Sequence, residues 1–480
     1  MTQTFAPLPA TWDEQVDVIV IGSGFAGLAA AIEAHDAGAS VKIFEKMDRP
    51  GGNSWINGGQ VAAAGSAAQR AAGIADTPDL MLQDMLEAGL HLNYVALARM
   101  VAEGSAETAQ WTTDRCGAQF DGRVNVLGGH SVARILQTKN GRGSEIVGKQ
   151  LDVLKGAGIT VDTNCLLATI FRAPDGRAAG IGVRTGYAFG SPAGGAIHTV
   201  RARAGIVLAT GGFSRDLAFR TAQDPRLGPA LDSTNQSGAT ADGLIAALEA
   251  DAMPVQLDWI QCLPLCSPDE PGFGVSPGFI GGSTMPYGIL VDPKTARRFV
   301  SELADRRVQS DALIASGHPA VNICDAYGAS KSWWGLDVSL ERGIVKKFDT
   351  LDALATAYGI DAAELQATIA RFNGYVVARH DPDFGKLFLP DVKAILEAPF
   401  YAVRVWPKVH HTMGGVGIDA GAHVVDLDGK VIPGFYAAGE VTGGVHGGCR
   451  LGGVAIIDCL VFGRIAGRNV VADARVSAGA

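Results

Sequence analysis

An α/β fold built on a parallel sheet is predicted for this 480-residue chain by three observations. A β-branched run at residues 16–21 meets glycines at 22, 24 and 27 at once. An Ala-rich stretch then ends at Gly38 and gives way to a second apolar run, residues 41–44, closed by Glu45. The same texture, an apolar run followed by paired glycines, returns at residues 205–212 and again beyond residue 410.

Residues 16–21 suit a strand buried on both faces. Gly22 permits the tight turn after it, Gly24 lets the backbone approach a pyrophosphate, and Gly27 lets the next helix pack closely on the strand. That helix runs through residues 28–37 with its amino end towards the phosphates. Glu45, at the end of the second strand, stands where a carboxylate accepts hydrogen bonds from a ribose. Strand, glycines, helix, strand and acid in this order mark a Rossmann-like dinucleotide-binding domain, without separating FAD from NAD.

After Lys46 comes a loop with Gly51, Gly52, Asn53, Ser54, Gly58 and Gly59. Its amides and side chains suit a pyrophosphate or a flavin edge, and the alternative is a plain surface loop. Residues 77–112 read as scaffold helices. His130, beside two glycines, faces substrate or is simply a loop residue. Residues 159–161, 166–171, 180–184 and 198–202 read as a small antiparallel sheet, and 205–208 resumes the parallel one. Thr240 or Asp242 caps a following apolar helix. From Met253 prolines and aromatic residues crowd in, which places a boundary near residue 260. Residues 261–409, with helices at 302–315 and 361–379, form an inserted α+β capping or substrate domain. Residues 14–260 and 410–480 form the two parts of the nucleotide domain, with a hairpin at Asp428-Gly429 and a late strand ending in Gly439-Glu440.

A composition of 47 % apolar and 19 % charged residues is that of an ordinary globular protein. The net charge of −9 argues against nucleic acid or anionic membrane as partner. No apolar run is long enough for a membrane span, and the polar, Pro-containing first 15 residues do not read as a signal peptide. The seven cysteines are irregularly spaced, and Cys262-x-x-x-Cys266 matches neither a zinc nor a haem pattern, so no metal is expected. Reduced thiols in a cytoplasmic protein are the expectation.

The glycine motif, Gly51-Gly52-Asn53-Ser54, Ala209-Thr210-Gly211-Gly212, His410-His411-Thr412-Met413-Gly414-Gly415 and the run 436–453 together carry a family resemblance. From about residue 14 onwards the chain resembles the soluble fumarate reductase flavoproteins, whose relatives include succinate dehydrogenase subunits, urocanate reductase and ketosteroid dehydrogenases. The resemblance implies FAD. It implies that Gly22, Gly24, Phe25, Ala26, Glu45 and Lys46 hold the cofactor, with Gly52, Asn53, Ser54, Gly58 and Gly59 from the loop. Leu167, Ala209, Thr210, Gly211 and Asp242 follow, then Gly439 and Glu440, the latter on the ribityl chain. Arg450, Gly453, Val454, Ala455 and Ile456 complete the set, with Gly452 and Gly453 opening the last helix towards the flavin. Gly52 stands where succinate dehydrogenases carry the His that bonds flavin, so the FAD is expected to be non-covalent.

The resemblance also makes His410 and Arg450 the clamp for a substrate carboxylate or carbonyl, the alternative being a structural ion pair. Two family residues are missing: Leu263 replaces the His that grips a second carboxylate, and no Arg follows Asp325, where Ala329 and Ser330 stand. Glu302 and Arg306 match the family's proton relay, or else form an i,i+4 ion pair on an amphipathic helix. Tyr327, Lys331 and Tyr287 are then candidates for the terminal proton donor or base. The expected reaction is desaturation of a cyclic ketone or oxo-acid, with a tyrosinate-like base beside the carbonyl. Reduction of fumarate or another enoate, with Arg342 as donor, is the alternative. A non-catalytic FAD-binding electron carrier is the alternative of another class. A small-molecule substrate and a separate electron donor or acceptor are the expected partners.

Overall fold

In a computed structural model that describes residues 5–191 and 195–479, the chain divides into two compact units. The first runs to Asp224, resumes at Gln236–Ile260 and closes from His411 onwards; the second comprises Pro225–Asn235 and Gln261–His410. Sequence reading placed 225–235 and His410 with the nucleotide domain. They join the second unit because the two stretches pair with each other: Thr234 N donates to Val409 O at 2.9 Å, and Val409 N to Asp232 O at 2.9 Å. Trp406 Nε1 adds a bond to Ala230 O at 3.3 Å.

The first unit is organised by an eight-stranded sheet. Its strands are β1 (Glu14–Ile21), β2 (Val41–Phe44), β3 (Val161–Asp162), β4 (Cys165–Arg172), β5 (Ala178–Thr185), β6 (Ala196–Leu208), β7 (His423–Val425) and β8 (Val431–Ala437). The order is β7-β8-β6-β1-β2-β3, parallel from β8 to β3, with β5 and then β4 hanging antiparallel from β6. Val18, Ile19 and Val20 of the central β1 are fully buried, as a strand covered on both faces requires.

Two expectations change here. Residues 198–202 and 205–208 are not two strands but one, β6, whose early part pairs with β5 while its later part lies between β1 and β8. Residue 161 belongs to the parallel side, through pairing of Ile43 with Val161.

Helix α1 (Phe25–Asp36) starts three residues earlier than expected, since Leu28 N already donates to Gly24 O at 3.0 Å. It packs against the carboxyl-terminal helix α2 (Val454–Gly479). Glycines set how close: a Cβ on Gly463 would lie 2.4 Å from Ala26 O, and one on Gly467 would lie 2.3 Å from Ala30 O. No helix among the described residues is long and apolar enough to cross a membrane.

The second unit is a five-stranded antiparallel sheet in the order Arg297–Arg298, Ile289–Asp292, Ala320–Cys324, Phe400–Val405, Val345–Phe348. Leu354, Leu365, Ile369 and Phe372 of the helices Leu351–Tyr358 and Ala362–Ala378 build one core, with Ile289, Val321 and Ala402 of the sheet. The helix expected at 302–315 is Arg306–Ser316 instead. Asp305 caps it, accepting from Arg307 N at 2.9 Å and Val308 N at 3.0 Å, so Glu302 falls outside.

Candidate functional site

The carboxyl ends of β1, β6 and β8 open on a cleft within the first unit. Gly22 turns the chain there with φ +100°, and a Cβ on it would strike Ala209 O at 2.3 Å, so only glycine fits. Phe25 N donates to Ser54 Oγ at 3.0 Å, tying the mouth of α1 to the glycine-rich loop. Glu45 Oε2 accepts from Ser23 Oγ at 2.6 Å and Ser23 N at 3.2 Å, while Oε1 accepts from Met47 N at 3.0 Å. Ser23 Oγ in turn accepts from Gly51 N at 2.9 Å, which joins turn, acid and loop into one frame.

Lys46 Nζ donates to Asp242 at 2.8 Å and to the Thr240 hydroxyl. Asn53 Oδ1 accepts from Gln236 N at 2.9 Å. Gly22, Gly24, Phe25, Ala26, Glu45 and Lys46 all line the cleft, as do Gly52, Asn53 and Ser54. Leu167, Ala209, Thr210, Gly211 and Asp242 form further wall, and Gly439 and Glu440 close one side. The Thr210 hydroxyl is buried there without a hydrogen-bond partner. A cleft with backbone turns at its rim, acids on two of its walls and an orphaned hydroxyl suits an extended cofactor with a polar backbone.

Other expected residues lie elsewhere. Gly58 and Gly59 precede the strand Gln60–Ala62 and bind the neighbouring strand, Gly58 O accepting from Gln137 Nε2 at 2.8 Å and Gly59 O from Thr138 N at 3.0 Å. The strand they lead into pairs antiparallel with Ile135–Thr138, Gln60 opposite Gln137. Gly453 precedes α2 and its carbonyl accepts from Ala62 N at 3.2 Å; Val454, Ala455 and Ile456 form the first turn. Arg450 is 7 % exposed, and its Nη1 donates to Leu451 O at 3.3 Å.

Sequence reasoning missed two networks. His130 does not face a ligand: Nε2 donates to Gly452 O at 2.8 Å and Nδ1 accepts from Arg134 at 3.1 Å. Arg134 is fully buried, bidentate on Asp76 at 2.9 Å and bonded to Asp84. Since guanidinium only donates and carbonyl only accepts, His130 is neutral, and burial pulls its pKa down to about 4. This chain fixes the turn that opens α2. Beside the cleft, Thr412 N donates to Glu440 Oε1 at 3.0 Å, and burial pushes the Glu440 pKa up to about 7. Ser23 was the one missed residue with a visible signal, since it sits inside the glycine motif.

On the second unit, His410 Nδ1 and Thr234 Oγ1 are 2.7 Å apart. Glu302 is buried and accepts from Leu290 N at 3.0 Å and twice from Arg298 at 2.8 Å, with Lys386 Nζ at 3.3 Å. Arg298 is thus an i,i+4 partner of Glu302, and the amphipathic helix expected to carry both Glu302 and Arg306 only begins at Arg306.

Tyr287, Tyr327 and Lys331 gather on Asp391: the Tyr287 hydroxyl at 3.1 Å from Oδ1, the Tyr327 hydroxyl at 2.8 Å from the carbonyl, Lys331 Nζ at 2.6 Å from Oδ2. Burial and the Asp391 hydrogen bond raise the Tyr287 pKa, the opposite of what a tyrosinate base needs. Arg342 lies exposed after the helix Leu336–Glu341, at the surface rather than in a donor's enclosed position.

A glycine turn on the central strand, an acid on the next and a cleft over the carboxyl ends define a protein of the dinucleotide-binding class. The chain belongs to the FAD binding domain family, which matches it over residues 17–456. It is 41 % identical to the acrylate reductase flavoprotein subunit of Shewanella woodyi, over 95 % of this chain and 91 % of that one. It is 37 % identical to the fumarate reductase (cytochrome) of Shewanella frigidimarina, over 97 % of this chain and 78 % of that one. Among solved structures, the open conformation of a flavocytochrome c3 fumarate reductase superposes with a TM-score of 0.79 at 34 % identity, covering 97 % of this chain and 79 % of that one. FAD is the cofactor, and the protein is an FAD-dependent oxidoreductase acting on carbon–carbon double bonds. The expected preference for desaturating a cyclic ketone yields to the enoate alternative, because the relatives are double-bond reductases.

Proposed function

We propose that the protein reduces the double bond of a short α,β-unsaturated carboxylate carrying a single carboxylate group. The 41 % identity to an acrylate reductase subunit across nearly the whole chain is the observation that carries this reading. Leu263 narrows it: a buried leucine, 3 % exposed, offers nothing to a second carboxylate.

In the first unit, the buried Arg450 supplies a permanent positive charge for the substrate carboxylate, and burial keeps water from competing for it. Within the second unit, the Thr234 hydroxyl holds His410 at 2.7 Å. Bound FAD would supply the hydride to one carbon of the double bond, and a proton drawn from solvent would complete the other. Gly52 presents no side chain to bond the flavin, in keeping with non-covalent cofactor. Electrons come from a separate donor.

Anaerobic reoxidation of the dithionite-reduced protein tests this. Acrylate is expected to reoxidise the flavin at least about tenfold faster than fumarate, since a second carboxylate meets no partner. Faster reoxidation by fumarate would reject the monocarboxylate reading. Bleaching of the oxidised flavin by a saturated cyclic ketone, with no response to either acid, would reinstate the desaturase.

A further inference from the structure

Behind the Glu440 wall of the cleft runs a row of ionisable side chains for which the proposed reaction has no use. Asp458, on α2, accepts from His446 Nε2 at 3.0 Å, and its other oxygen is buried with no hydrogen-bond partner. Both side chains are at most 5 % exposed. The His446 ring meets His411 edge-on, with centroids 5.4 Å apart and planes at 73°. His411 Nδ1 lies 3.4 Å from Glu440 Oε1, and Glu440 lines the cleft. Four ionisable groups thus stand in contact from the helix to the cofactor wall, all within the first unit.

A buried carboxylate with one unbonded oxygen is costly unless a neighbouring charge or proton compensates it. The His446 Nε2–H bond to Asp458 supplies that compensation. The outer member is balanced between opposing neighbours. Arg450 favours the ionised form of Glu440, as do the Thr412 amide and hydroxyl; burial and the charge of Asp458 oppose it, and Cys459 beside it is a neutral thiol pushed well above its ordinary range. The balance leaves Glu440 close to half-protonated at neutral pH, so a small change of charge in the cleft flips it.

We propose that the row Asp458–His446–His411–Glu440 stores a proton for the flavin site, with His446 and Asp458 as the positioning residues that hold His411 against Glu440. When the bound cofactor gains two electrons from its reductant, one proton leaves solvent and forms an O–H bond on the Glu440 carboxylate. Nothing in the row is itself oxidised or reduced. The inference rests on FAD as the cofactor and is independent of which enoate is reduced.

The sign follows from the two states of the cleft. Below about pH 7 Glu440 already holds its proton, so reduction takes up none there; above it, added negative charge raises its affinity and one proton enters. The flavin midpoint potential of the holoenzyme, followed spectroelectrochemically from about pH 5.5 to 9.5, is therefore expected to steepen above about pH 7 by one proton per two electrons.

Asp458→Asn, which removes a negative charge near Glu440, is expected to move that break down by about one pH unit or more while retaining FAD. A merely structural role would lower stability or FAD content and leave the break where it was. An unmoved break in Asp458→Asn, or no break in the parent protein, would overturn the proposal. If that variant does not fold, proton uptake by the parent holoenzyme, read with an indicator dye during reduction at an electrode at pH 6 and pH 8, decides alone: equal uptake at both rejects the stored proton.

Discussion

His130 shows how much one neutral side chain can make a protein depend on pH. Its pKa of about 4 in the fold lies below the ordinary value of 6.5, because burial excludes the charged form. Between those values the unfolded chain binds a proton that the folded chain refuses. Its contribution to stability is therefore complete above about pH 6.5 and is lost as pH falls, by roughly 3 kcal/mol at pH 4. Urea unfolding of the parent and of His130→Gln at pH 7.5, 6.0 and 4.5 checks this: the parent loses stability relative to the variant as pH falls. A constant difference between them would place the pH sensitivity elsewhere. The role was not visible in the sequence, since nothing local links His130 to Gly452, 322 residues away.

Among the elements, the crossing of α1 and α2 rests on glycines rather than on large side chains. A Cβ on Gly467 would sit 2.3 Å from a backbone oxygen, which has no flexible end to move aside. Gly467→Ala is expected to cost about 1–3 kcal/mol in chemical denaturation, with α1 displaced at the cofactor cleft and FAD affinity lowered alongside. Unchanged stability would mean that the helices slide apart freely.

How far these elements could be read beforehand follows from where their information lies. Strand β1, the glycine turn, α1 and β2 were legible because each is written within about thirty residues; Gly22, Gly24 and Glu45 followed from them, while the more distant cleft-lining residues came only from the family resemblance. β6 was split in the reading because Ala202, Ala204 and Gly205 look like a break, whereas pairing with β1 and β5 carries the strand through. The amphipathic pattern before Arg306 gave no hint that Asp305 would cap the helix there. Asp391 collects Tyr287, Tyr327 and Lys331 across at least 60 residues, and no spacing rule announces that.

At the scale of the molecule, one unit carries the cleft while the chain leaves that unit twice to build the other. Cofactor and fold are then linked by mass action, because the cleft is assembled from residues 21–54, 165–167, 209–243 and 438–459, which only the folded chain brings together. Free FAD at 100 times its dissociation constant is expected to stabilise the protein by about 2.7 kcal/mol. Thermal melts of deflavinated protein titrated with FAD measure this as a concentration-dependent rise in Tm. A Tm indifferent to FAD would mean that the cleft does not form the binding site.

The helix crossing also has a consequence on the ribosome. α1 is made well before the helix that covers it, which carries Arg464, whose partner Glu33 lies 431 residues earlier. At about 5–20 residues per second, the alanine face of α1 waits roughly 20–90 s for its cover. Throughout that interval the nascent chain displays its glycine turn beside a bare apolar helix, and whatever shields that surface during synthesis takes the place that α2 will occupy.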